Sequence, residues 1–168
     1  MRRLRALFAI LALTGFLALT AASAKAAEIS RYGVSGWQIS VYTNDYNGGF
    51  SHCSAGMPYQ NGIIMFLTIN GQYRWSVSFY DPVWRLVIGG NYPVTMSIDG
   101  GPAILENAFA KNGQLATIEL PDSMPLFNAF RRGYQLRVIA AGQAFFFNLN
   151  GSNAALVALT QCVNSYNR

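Results

Sequence analysis

Residues Gln143 to Val163, QAFFFNLNGSNAALVALTQCV, hold a strand, a turn, a helix and a cysteine in one run, and the rest of the chain has to accommodate that run. Phe145, Phe147 and Leu149 share one face of a period-two strand, and Gly151 with Ser152 supplies a turn and a helix N-cap. Ala155, Leu156, Leu159, Cys162 and Val163 then recur at helical spacing, so Cys162 lies on the apolar stripe of a short amphipathic helix. Such a stripe must be buried against another layer, and the upstream sequence reads as sheet.

Gly36 to Thr43 alternates, with Trp37, Ile39 and Val41 on one face and Gln38, Ser40 and Tyr42 on the other. The turn Asn44 to Gly49 follows, and then two β-rich runs between Ile63 and Tyr80 flank Asn70-Gly71. A two-residue turn there pairs Phe66 with Trp75 and Ile64 with Val77, leaving Arg74, Ser76 and Ser78 on the opposite face. After Asp81-Pro82, Val83 to Ile88 reads as a strand, and Val94, Met96 and Ile98 alternate along another. Ala103 to Lys111 fits either a strand or a loose helical turn, and Gln114 to Leu120 fits a strand. Pro121-Asp122-Ser123 announces a helix that buries Leu126, Phe127 and Phe130 and ends at Gly133. Tyr134 to Ala140 and Ala144 to Leu149 form a last hairpin about Ala141-Gly142. The expected fold is mainly β, an antiparallel sandwich or barrel-like single domain with two short helices, the C-terminal one packed on the sheet.

Residues 1–26 read as a cleaved general secretory signal peptide, leaving one domain over 27–168. Arg2, Arg3 and Arg5 precede an apolar stretch from Ala6 to Leu19, and small residues around Ala24 and Ala26 offer cleavage sites. No later stretch is apolar for the roughly 20 residues of a spanning helix, so no transmembrane segment is expected in the mature chain. Twelve basic residues become eight once Arg2, Arg3, Arg5 and Lys25 are removed, against seven acids. Scattered and balanced charge does not make a nucleic-acid footprint. Export to the periplasm or beyond carries Cys53 and Cys162 into an oxidising compartment, where they have one possible intramolecular pairing, across a loop of ~100 residues. Two cysteines at that separation make no zinc site.

Residues that carry chemistry are sparse. His52 is the one histidine; alternation points it away from the face used by Cys53, and no nucleophile elbow or zincin motif surrounds it. Asp45, Asp81, Asp99 and Asp122 stand in turns, where a carboxylate usefully accepts backbone N–H groups. Asp45, Asn47 and Gly48 brush a calcium-loop pattern that lacks its further carboxylates and closing Glu. Isolated glycine doublets cradle no phosphate. No catalytic, cofactor or metal residues are assigned. Exposed aromatic, arginine and turn residues are the contact candidates: Tyr42, Asp45, Tyr46, Asn47, Tyr80, Arg131 and Arg132. The expected function is a non-enzymatic interaction module with an unknown protein or an envelope or host glycan as partner. The alternative is a small envelope hydrolase using His52 or a turn carboxylate such as Asp99.

Several short segments, in order, resemble the invasion-associated locus B family of small periplasmic or secreted alphaproteobacterial proteins. They are Gly36-Trp37, Tyr92-Pro93-Val94 leading to Ile98-Asp99-Gly100, Leu126 to Gly133, and Phe147 to Ser152 opening onto Ala154-Ala155-Leu156. The resemblance implies a β-rich export domain tied to envelope interaction or host invasion, with no known catalytic residues. It departs from the family in having no cysteine between Ala103 and Gly113.

Overall fold

The alternating segments pair into one antiparallel sheet of ten strands. In this computed structural model, residues 27–44 and 46–168 are described; the expected signal peptide and Asp45 lie outside the described residues. The elements are β1 (Glu28–Val34), β2 (Trp37–Thr43), β3 (Phe50–Pro58), β4 (Ile64–Asn70), β5 (Trp75–Tyr80), β6 (Asn91–Ile98), β7 (Ile104–Ala110), β8 (Leu115–Glu119), α1 (Met124–Arg132), β9 (Gln135–Ala140), β10 (Gln143–Asn148) and α2 (Ser152–Tyr166). Across the sheet the order is β1-β2-β3-β4-β5-β8-β7-β6-β9-β10. The ambiguous run after Ala103 is a strand, β7, and β1, which the sequence did not announce, adds an edge.

One face carries the core. Trp37, Ile39 and Val41 on β2, Cys53 and Ala55 on β3, Val77 on β5, Met96 on β6, Ile118 on β8 and Phe147 on β10 are all buried. Over β1 to β4 this inner face is covered by α2, whose Ala155, Leu156, Leu159, Cys162 and Val163 are buried as the stripe requires. Cys53 and Cys162 are joined in a disulfide with Cα atoms 6.3 Å apart, tying the last helix to the third strand. At the other end the sheet curls. Phe147 packs at 4.8 Å from Phe79 and edge-on at 5.0 Å to Tyr59, whose hydroxyl donates to the Asn148 carbonyl at 2.6 Å. The two edge strands, β1 and β10, are not paired with each other, so this is a curled open sheet and not a closed barrel.

Three local expectations are corrected. The β4–β5 turn is longer than two residues. Ile69 pairs with Trp75, Leu67 with Val77 and Met65 with Phe79, a three-residue slip from the expected pairing that turns Ile64 and Phe66 to the outer face. Alternate positions on both sides of β4 are apolar, and the larger set, Met65, Leu67 and Ile69 together with Ile63, takes the core. The Asn70 side chain accepts from the amides of Gln72 and Arg74 at 2.9 and 3.0 Å, and the positive φ falls on Tyr73 at 58°. Gly71 serves another purpose: its carbonyl accepts from Asn167 at 2.7 Å, and an added Cβ would meet that side chain at 2.9 Å.

Val83 to Ile88 is not a strand. The Asp81 carboxylate accepts from Val83 N at 3.0 Å and its carbonyl from Trp84 N at 3.2 Å, so the chain turns where the strand was expected to begin. It rejoins the fold through Leu86 N to Gly113 O and Gly89 N to Ala110 O. Ser152, the third correction, is not an N-cap. The cap is Gly151 at φ 77°, and the buried Ser152 hydroxyl instead donates to the Phe130 carbonyl at 2.7 Å, joining the start of α2 to α1. Helix α1 is as expected, capped by Ser123, with Leu126 and Phe130 buried and Phe127 edge-on to Trp75 at 5.1 Å.

Candidate functional site

The outer face of β2, β3, β4, β5 and β8 carries small hydroxyl side chains in register. Ser40 stands opposite Ser54, Ser54 opposite Thr68, Thr68 opposite Ser76, and Ser76 opposite Glu119. A second row runs Gly56, Phe66, Ser78, Thr117. Cross-strand hydrogen bonds link Ser54 to Thr68 at 3.1 Å and Ser78 to Thr117 at 2.9 Å. A third row is Tyr42, His52 and Asn70, with the Tyr42 and His52 rings stacked at 4.7 Å. Although among the described residues no helix covers this face, Ser54, Ser76, Ser78 and Thr117 are only 6–8 % exposed, because they sit below the longer side chains around them.

The result is a polar trough of about 480 Å³. Tyr42, His52 and Arg74 stand among its walls on one side, Leu115 and Lys111 on the other, and Lys111 lies 3.9 Å from Glu119. Phe66 packs over Gly56 on its floor, where an added Cβ would come within 2.9 Å of the ring. Glycine is required there so that an aromatic surface can face the trough.

His52 is half-buried, and burial lowers its pKa below the ordinary histidine value. Its Nδ1 is 2.9 Å from the Ser51 hydroxyl, and among the described residues no carboxylate is hydrogen-bonded to it. Asp99 accepts from the amides of Tyr134 and Gln135 at 3.0 and 2.8 Å, and Asp81 from that of Val83, so these turn carboxylates perform the backbone role expected of them. Among the described residues no group of three or more His, Cys, Asp or Glu side chains is placed to hold a metal ion.

The contact candidates do not form one patch. Tyr42 is on the trough wall, and the loop that joins β2 to β3 carries Tyr46, 94 % exposed, and Asn47, whose side chain accepts from Gly49 N at 2.9 Å. Asp45 lies outside the described residues. Tyr80 is half-buried at the end of β5, opposite Ile64 and Leu115. Arg131 and Arg132 are on α1, which packs against α2, away from the trough; Arg131 donates to Asn153 at 2.9 Å. Alternation placed Ser76 and Ser78 on this face from the sequence alone. Ser54, Thr68 and Thr117 join them only through the register of neighbouring strands.

No protein-family model matches the sequence, and no curated protein matches it. A solved structure does: the crystal structure of invasion associated protein B from Bartonella henselae, with a TM-score of 0.57 and 17 % identity, covering 79 % of this chain and 97 % of that one. At that identity the likeness is one of fold. No helix among the described residues is long and apolar enough to cross a membrane.

Proposed function

We propose that residues 27–168 form an exported, non-enzymatic interaction domain of the envelope or the extracellular space, and that the trough is its contact face for a saccharide chain. The observation that carries this reading is the hydroxyl row running across β2, β3, β4 and β5 to Glu119 on β8, with Phe66 and the Tyr42–His52 stack beside it. A saccharide offers hydroxyls to the lone pairs that the Ser54–Thr68 and Ser78–Thr117 pairs leave free, and flat C–H faces for aromatic rings. The fold likeness and a disulfide of the kind that persists in oxidising compartments support export.

Binding of the mature protein to arrayed bacterial and host polysaccharides tests the reading. The triple variant Thr68→Val, Ser76→Ala, Ser78→Ala should bind at least about tenfold more weakly, or about 1.4 kcal/mol. Unchanged affinity in a folded triple variant, or no saccharide bound by the parent, overturns it. Cleavage of a bound polysaccharide that is lost in His52→Ala would establish the hydrolase instead.

A further inference from the structure

The inner face beyond the reach of α2 is incompletely filled. Between the curl of β9 and β10 and the segment 82–88 lies a cavity of about 240 Å³. Its lining includes alanine on three strands, Ala116 on β8, Ala108 on β7 and Ala140 on β9, with Phe79, Phe147 and Trp84 supplying aromatic surface. Among the described residues no charged side chain lines it. Three lining side chains carry a polar group: the Trp84 indole N–H, the Tyr92 hydroxyl and the Gln143 amide. The Tyr92 hydroxyl accepts from Val87 N at 2.9 Å, and Gln143 is exposed at the β9–β10 turn.

A cavity with such walls does not hold water well, because water needs two to four polar partners; apolar cavities of ~150 Å³ stay dry and admit apolar molecules. A charged or strongly polar ligand would lose its hydration without replacement. What fits is an apolar tail whose polar end stays outside near Gln143. The segment that contributes Trp84 and Leu86 to the wall also holds Val83, Val87 and Ile88 out to solvent at 72, 72 and 73 % exposure. Apolar side chains therefore continue from the cavity wall to the outer surface, along a segment that lacks strand pairing.

We propose that this cavity binds a single acyl chain of an amphiphile, with Gln143 at the headgroup and Val83, Val87 and Ile88 as the apolar approach. This does not depend on the saccharide reading, since the trough is on the opposite face of the sheet. Trp84 is the reporter. Bromododecanoic acid in solution and vesicles of phosphatidylethanolamine and phosphatidylglycerol with brominated acyl chains form the two arms, one for a free fatty acid and the other for a membrane lipid. Saturable quenching of tryptophan emission in either arm is expected, with Trp84→Phe removing the quenching but not the heat of dodecanoate binding. Ala116→Leu, which occupies the floor, should weaken binding at least tenfold at unchanged circular dichroism; Ala108→Val serves the same purpose if that variant does not fold. Val87→Ser with Ile88→Ser should slow uptake from vesicles while leaving dodecanoate affinity in place. Absence of saturable quenching in both arms up to about 1 mM, or undiminished quenching in a folded floor-filled variant, overturns the proposal.

Discussion

Over β1 to β4 the inner face is roofed by a 15-residue helix and covalently joined to it, whereas over β6 to β10 the same face is closed by the bending of the sheet and by an irregular segment. In the first region buried side chains meet a matching stripe, and Ala55, Leu156 and Leu159 are each at 0 % exposure. In the second, three alanines meet no opposing side chain of sufficient size, and a cavity results. A sheet can thus hide its apolar face by acquiring a second layer or by curvature. Only the layer allows close packing throughout, because a bent sheet has one shape to fill and few side chains with which to fill it.

The largest loss of stability is expected where the roof is fastened to the sheet. Cys162→Ala should lower unfolding free energy by about 4 kcal/mol, since the bond closes a loop between residues 109 apart. Denaturant unfolding with and without reductant measures it, and equal stability of the two forms would remove the staple from the account. A smaller effect sharpens the contrast. Ala55→Val under α2 should cost about 1–3 kcal/mol by overpacking, while Ala116→Val, beside the cavity, should be neutral or stabilise by up to about 1 kcal/mol. The same methyl groups would then have opposite consequences in the two regions, and matching losses would show the second region to be as full as the first.

The smallest effect is on the outer face of the roofed region. Because burial lowers the His52 pKa in the fold, the unfolded chain binds more protons as pH falls below about 6.5. The His52 contribution is therefore complete above that pH and is lost as pH drops toward the folded-state pKa, with a slope of at most about 1.4 kcal/mol per pH unit. Stability of the parent minus that of His52→Gln should decline from pH 7 to pH 5. A difference flat across that range would contradict the shift.

The β9–β10 hairpin was legible because Ala141-Gly142 separates two alternating runs, and the two residues adopt φ of 49° and 75° as such a turn demands. The disulfide was legible because a chain with two cysteines offers one intramolecular pairing. Strand β4 was legible as a strand but its register was not, since both of its faces are apolar and a register slip exchanges them without a penalty visible in local pattern. Val83 to Ile88 looked like a strand to the same pattern, but the Asp81 carboxylate captures the Val83 amide and turns the chain first. Strand β1 is an edge strand with mostly exposed side chains, so it carries no periodic signal. Part of the trough was readable by alternation, as Tyr42, His52, Arg74, Ser76 and Ser78; its continuation through Thr68, Ser54 and Thr117 is a property of strand order. The alanine-lined cavity belongs to three strands at once and leaves no trace in any one of them.

The position of the roof along the chain has a kinetic consequence. Helix α2 begins at Ser152, yet the strands it covers, β1 to β4, end at Asn70. Contacts of that sequence separation are the slow ones to form, because a long loop must close before they contribute. Strands β1 to β4 are made first and stay uncovered until the last residues arrive. A chain that crosses a membrane amino end first and unfolded would hold Trp37, Ile39, Leu67 and their neighbours open to wrong partners for the whole transit. For such a chain the rate of translocation, set against the rate at which α2 docks, decides between folding and aggregation.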